Sequence, residues 1–157
     1  MNAPMNAPVP VRPDPVSKAR LRLWLGLLRA SRQIEGTLRE RMRAEMGSTL
    51  PRFDVMATLA RHPEGLRMSE VSSRLGVSPG GLTGIVDRLV AEGLVERRAA
   101  PGDRRAQVVR LGPDGTAAFA RLAAAHEGWV DELFAALGPE EMAELSALLD
   151  RLLRREP

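Results

Sequence analysis

Between Ser17 and Met46 apolar residues recur at Leu21, Trp24, Leu28, Leu38 and Met42, with polar and charged residues between them and no proline. That three-to-four-residue spacing predicts one helix of about 30 residues, roughly 45 Å long. Such a helix is too long to bury itself in a small domain and must lie across other elements or a second chain. A shorter helix is predicted from Pro51 to Arg61, with Phe53, Met56, Ala57 and Leu59 inward and His62-Pro63-Glu64-Gly65 as the turn that ends it. After Pro113 a second long helix carries Phe119, Leu122, His126, Trp129, Leu133 and Leu137 on one stripe and is expected to close at Gly138. A last helix from Pro139 aligns Met142, Leu145, Leu149 and Leu152. Its acids lie in the first turn and its arginines at the end, the polarity that suits the helix dipole. Trp24 and Trp129 are expected in the core of a dimer.

The middle of the chain has a different rhythm. Met68 to Leu75 forms one short amphipathic helix ended by Gly76; Val77 is an apolar turn residue, Ser78 a natural N-cap and Pro79 a natural first helical residue. The helix that follows buries Leu82, Ile85, Val86 and Leu89 and stops at Gly93. Two short helices joined by a three-residue turn containing glycine match a helix-turn-helix unit. Leu94 to Arg98 then reads as a strand, Ala99 to Arg105 as a turn with Pro-Gly-Asp, and Ala106 to Leu111 as the returning strand. This hairpin carries Arg97, Arg98, Arg104, Arg105 and Arg110 around Asp103. Alone it could be a solvated basic hairpin; directly after a helix-turn-helix, it points to phosphate or minor-groove contact.

Composition narrows the chemistry. The 157 residues include no cysteine and only two histidines, so disulfides, thiol chemistry and thiolate zinc sites are excluded and a multi-histidine metal site is disfavoured. No nucleophile elbow, phosphate loop or metal spacing appears, and the chain is read as a non-enzyme without cofactor. No apolar run approaches a membrane span, and a cytoplasmic protein is expected. Five of the first sixteen residues are proline, which marks residues 1–16 as a flexible arm. The net charge is only +3, but it is unevenly spread. Residues 17–46 carry eight cations against three anions, residues 50–112 ten against seven, and residues 113–157 four against nine. One side is expected to face a polyanion.

The sequence resembles the MarR family of winged helix-turn-helix transcriptional regulators. The resemblance is carried by Met68 to Leu111, above all Gly93-Leu94-Val95-Glu96-Arg97 and Asp103-Arg104-Arg105, then Val108 to Gly115, and extends over about residues 17–155. It implies a mainly α fold: a winged domain at residues 50–112 with a small β-hairpin wing, flanked by long helices at 17–49 and 113–157 that interlock as an intertwined dimerisation region. It further implies a homodimeric repressor, or less often an activator, on a palindromic double-stranded DNA operator, released by a small ligand, for which the family favours an aromatic carboxylate or phenol. A metal-responsive or ligand-independent regulator is the alternative. By the resemblance Arg105 enters the minor groove, Arg104 binds backbone and Asp103 orients a wing arginine. One departure is Leu111-Gly112-Pro113-Asp114-Gly115, where relatives cap the helix with threonine.

The recognition helix is unusual, with Gly80, Gly81 and Gly84 in its first two turns. At 100° per residue, Gly80, Thr83, Gly84, Asp87 and Arg88 face away from the buried stripe. No Arg, Asn or Gln stands at the early outward positions to grip a base edge. The expected DNA contacts are Ser78, Gly80, Gly81, Thr83, Gly84 and Arg88 on the helix, and Arg98, Arg104 and Arg105 on the wing, with much of the specificity from DNA shape. For the effector, relatives use a cleft lined by the first, second and fifth helices, and Arg29, Ser31 and Arg32 on the first helix are candidates with His62 and His126. Each has a plainer role open to it: surface or salt-bridge arginines, a helix cap at His62, a hydrogen-bonded core residue at His126.

Overall fold

The computed structural model describes residues 14–100 and 103–154, and the side chains of these except at 100 and 103–106. Residues 1–13 of the expected arm lie outside the described residues. The element order is α1 (Pro15–Met46), α2 (Leu50–Ala60), α3 (Met68–Leu75), α4 (Pro79–Ala91), β1 (Val95–Ala100), β2 (Asp103–Leu111), α5 (Pro113–Phe134) and α6 (Pro139–Leu153). The fold is thus mainly helical, with one two-stranded antiparallel sheet. Two compact units divide the chain, residues 1–36 and residues 37–157. The described part of the first is helical from Pro15 on and exposes Leu21, Leu23, Trp24 and Leu25.

In the second unit α2 is the centre. Leu50, Phe53, Val55, Met56 and Leu59 are all buried within its eleven residues, and α3, α4, α5 and β2 all pack on it. Val71 of α3 and Leu82, Val86 and Leu89 of α4 are fully enclosed, each worth roughly 1.5–3 kcal/mol of transfer free energy. The hairpin pairs Val95 with Leu111, Glu96 with Arg110, Arg97 with Val109 and Arg98 with Val108. Both strands run further into the expected turn than Arg98 and Ala106, to Ala100 and Asp103, through an irregularity at Ala99/Ala100. A third partner joins on the other edge: Leu66 and Val109 exchange both backbone hydrogen bonds, at 3.0 and 2.8 Å.

One boundary and one burial differ from expectation. α5 ends at Phe134, and Gly138 does not close it: its φ is −70° and it is the N-cap of α6, with its N–H donating to the Glu141 carboxylate at 2.8 Å. Trp129 is buried within one chain, its Nε1 donating to Glu45 at 3.2 Å and its ring covered by the Arg41 guanidinium, so its burial needs no partner chain.

The glycine-rich start of α5 has a steric cause. Gly112 N–H donates to the Leu94 carbonyl at 3.0 Å, and a Cβ at Gly115 would lie 1.8 Å from that same oxygen. Only glycine lets the first turn of α5 sit on the segment joining α4 to the wing. Gly115→Ala should therefore destabilise the protein by about 1–3 kcal/mol or more, as overpacking against unyielding backbone does. Urea unfolding followed by circular dichroism checks this, and an unchanged midpoint would refute the contact.

Candidate nucleic-acid interface

The turn between α3 and α4 is built from backbone geometry. Gly76 takes a left-handed φ of 63°, so that its N–H reaches the Ser73 carbonyl and the Val77 N–H reaches that of Ser72 at 3.2 Å, the two bonds of a Schellman end. Ser72 Oγ donates to the Val77 carbonyl at 2.6 Å and locks the turn from within. Ser78 then caps α4 by accepting from Gly81 N–H at 3.4 Å, with Pro79 in the first turn. With Leu82, Val86 and Leu89 buried, Ser78, Gly80, Gly81, Thr83, Gly84, Asp87 and Arg88 are all exposed. Thr83 Oγ1 donates back to the Pro79 carbonyl at 2.8 Å, which leaves its oxygen free to accept.

Nothing inside the chain requires the glycines on that face. A Cβ at Gly80 or Gly84 would meet no atom within 4 Å, and one at Gly81 would only touch Ser78 Oγ at 3.4 Å. A mid-helix glycine costs about 1 kcal/mol relative to alanine, and at Gly84 the fold gains nothing in return. The absent side chains leave the α4 backbone open to close approach from outside.

Beside this face the described hairpin arginines, Arg97, Arg98 and Arg110, are tethered by acids. Arg97, on the hairpin face with buried Val95 and Val109, pairs with Asp87 of α4. On the other face Glu96 Oε2 accepts from Arg98 Nε at 2.8 Å and from Arg110 Nη2 at 3.2 Å. These guanidiniums, Arg98 first, hold the Glu96 carboxyl below the usual carboxylate range. The described arginines thus gather on Glu96 and Asp87. The spacing of Glu96 and Arg98 on a strand was a readable signal for one of these pairs; Asp87 with Arg97 required the tertiary fold. The side chains of Asp103, Arg104 and Arg105 lie outside those described. A further pair, Arg52 of α2 with Glu92 at the end of α4, is bidentate, with Nη1 to Oε1 at 2.7 Å. The Arg52 hydrogen bonds hold the Glu92 carboxyl low in turn.

The candidate effector residues divide between the two units. Arg29, Ser31 and Arg32 are exposed on the part of α1 in the first unit. His62 sits with Nδ1 3.5 Å from Glu64 Oε1, and its backbone N–H donates to the Leu59 carbonyl. His126, half-buried, stacks on the Phe53 ring at 4.6 Å, and the half-buried Phe119 lies on the same ring at 5.7 Å. Sequence reasoning passed over Arg52 and Arg121, which line a cleft of about 200 Å³ with Met46, Ser48, Leu94 and Leu122. Arg52 Nε is buried without a hydrogen-bond partner. Among the described residues no group of three or more His, Cys, Asp or Glu could hold a metal ion, and no helix is long and apolar enough to cross a membrane.

Residues 46–106, from the end of α1 to the returning strand, match the family model described as MarR family. A MarR family transcriptional regulator from Silicibacter pomeroyi superposes with a TM-score of 0.75 and 34% identity, over 89% of this chain and 96% of that one. The chain belongs to the MarR family. A mutant MarR from E. coli, solved in complex with operator DNA, superposes at a TM-score of 0.73 with 26% identity, over 89% of this chain and 99% of that one. The HTH-type transcriptional regulator MhqR of Bacillus subtilis is 24% identical over 137 residues, 87% of this chain and 93% of that protein. In other curated relatives the matched stretch is shorter, down to 46% of the relative's length. The helix-turn-helix and wing described above are therefore those of a MarR-family transcriptional regulator, and its relatives are regulators rather than enzymes.

Two outcomes follow for stability. Gly84→Ala should raise the stability of this MarR-family protein by up to about 1 kcal/mol, seen as a higher melting temperature; a fall would mean that the helix face is not open. Because Arg52 lowers the Glu92 pKa in the folded state, this pair contributes stability above the ordinary glutamate range. That contribution is lost as pH falls through that range to the lowered value, so Glu92→Gln should flatten the acid limb of a stability-versus-pH curve.

Proposed function

We propose that the protein is a homodimeric transcriptional repressor that binds double-stranded DNA at an imperfect palindrome and is released by a small aromatic carboxylate or phenolic effector. The observation that carries the DNA reading is the bare outer face of α4: exposed Ser78, Gly80, Gly81, Thr83, Gly84 and Arg88, with no internal reason for Gly80 or Gly84. A helix seated in the major groove without long side chains brings its backbone close to the bases and leaves Ser78 and Thr83 as the polar readers. Arg104 and Arg105 are then the wing contacts to backbone and minor groove, with Asp103 orienting a wing arginine, and DNA shape supplies much of the specificity. The related MarR of E. coli has been solved with operator DNA, which supports the assignment.

The homodimer is supported by uncovered apolar surface. No residue of α6 is buried, and Met142, Leu145, Leu149 and Leu152 share its open face; in the first unit Trp24 is 57% exposed. Contiguous apolar surface of this kind marks an interface. For the effector, Arg52 and Arg121 are better placed than Arg29 or Arg32, because they share a cleft with apolar walls. The Arg121 guanidinium there can grip a carboxylate through paired hydrogen bonds, beside Arg52, which Glu92 already holds.

The experiment is a binding titration on the DNA upstream of the protein's own gene, against scrambled competitor, with and without a panel of single-ring aromatic acids. Preferential binding that one acid abolishes is the expected result; binding without preference would sink the regulator reading. Arg105→Ala should weaken binding at least tenfold. Gly84→Ala should weaken it too while raising the melting temperature, a pairing that a merely structural glycine would not produce.

A further inference from the structure

Resting on the DNA-binding reading, we propose that Glu96 is a specificity-determining residue of the wing: it competes with DNA phosphates for Arg98 and Arg110 and so suppresses sequence-independent binding. The geometry places the three side chains together by construction. Residues 96 and 98 lie on one face of β1, and Arg110 is the cross-strand partner of Glu96. One carboxylate oxygen, Oε2, takes both arginines.

Glu96 is itself held in place. Its side chain is only 30% exposed, and its Oε1 lies against Gly112, 3.2 Å from where a Cβ would be. That is the N-cap of α5, which has no side-chain cap of its own, and the partial positive charge of a helix start favours a carboxylate there. Two guanidiniums and a helix end thus converge on one anion. Arg98, 57% exposed, is within reach of a phosphate, but a phosphate engaging it must displace a charge-assisted hydrogen bond.

The effect is selective. Sequence-independent affinity comes almost wholly from phosphate neutralisation, so tethering two cations at the base of the wing lowers that component. The base-reading face of α4 carries no such restraint at Ser78, Gly80 or Gly84. Glu96 therefore raises the ratio of specific to nonspecific binding rather than affinity itself.

The test compares wild type with Glu96→Gln on a scrambled duplex and on an upstream duplex that wild type prefers, across a range of salt. On the scrambled duplex Glu96→Gln should bind about fivefold tighter near 0.15 M salt for each arginine released, with the log–log salt slope steeper by about 0.9 per contact. The preferred duplex should gain less, so that discrimination falls. Adding Arg98→Gln should return slope and affinity toward wild type. Arg98 stands among the wing contacts expected from the sequence, but because Glu96 tethers it, Arg98→Gln alone should cost less than a full phosphate contact on the scrambled duplex. A wild-type slope in a folded Glu96→Gln variant overturns the proposal and leaves the DNA reading standing. Should that variant fail to fold, loss of a full phosphate contact in Arg98→Gln alone overturns it equally, because Arg98 would then not be tethered. Absence of any preference in wild type itself removes the DNA reading, and this proposal with it.

Discussion

Two neighbouring residues of α2, Arg52 and Phe53, connect the parts that a regulator has to couple, and the rest of the second unit is arranged around them. Successive residues on a helix point about 100° apart. Arg52 faces the end of α4 and grips Glu92 with both terminal nitrogens, whereas Phe53 faces α5 and carries Phe119 and His126 stacked on its ring. Because α2 is buried between α3, α4, α5 and β2, it cannot turn to favour one neighbour without disturbing another. A close-packed interior transmits such displacement rather than absorbing it. A ligand bound against Arg52 in the proposed cleft would therefore act on the pair that anchors α4, without any contact to α4 itself.

Much of the winged domain was legible because its punctuation is local. Gly76, Ser78, Pro79 and Gly93 each mark an end or a start through backbone chemistry that depends on a few adjacent residues, and the predicted spans of α3 and α4 match the structure to within about two residues. The end of α5 was misread for the opposite reason. Gly138 resembles a helix stop, yet here it serves the next helix through Glu141, and a glycine between two helices does not say which it belongs to. In the Leu111–Gly115 segment Gly115 is a packing requirement, set by a carbonyl of Leu94 twenty-one residues upstream, while the N-cap Gly112 supplies no side-chain cap.

The candidate site was legible on α4 and much less so elsewhere. Helical periodicity places Gly80, Thr83, Gly84 and Arg88 outward with no tertiary knowledge, and they are exposed. Ion pairs such as Arg52 with Glu92, or Arg97 with Asp87, join elements whose relation periodicity does not encode. The same holds for an effector cleft. Arg29 and Arg32 stand out by their place along a helix, whereas Arg52 and Arg121 share a cleft through the meeting of α2 and α5.

α6 presses the argument for a partner further than exposure alone does. It has fifteen residues, none buried, and an isolated helix of that length is marginal in water, since nucleation is unfavourable and propensity adds little per residue. The carboxylate of Glu141 on Gly138 N–H helps its first turn, but a capping bond contributes about 1 kcal/mol. The remaining stabilisation has to come from covering Met142, Leu145, Leu149 and Leu152, whose burial would each contribute roughly 1.5–3 kcal/mol. Within the proposed homodimer the order of α6 and the association of two chains are then one equilibrium. Its stability would rise with protein concentration, and the two recognition helices would be held at a fixed separation only while α6 is covered.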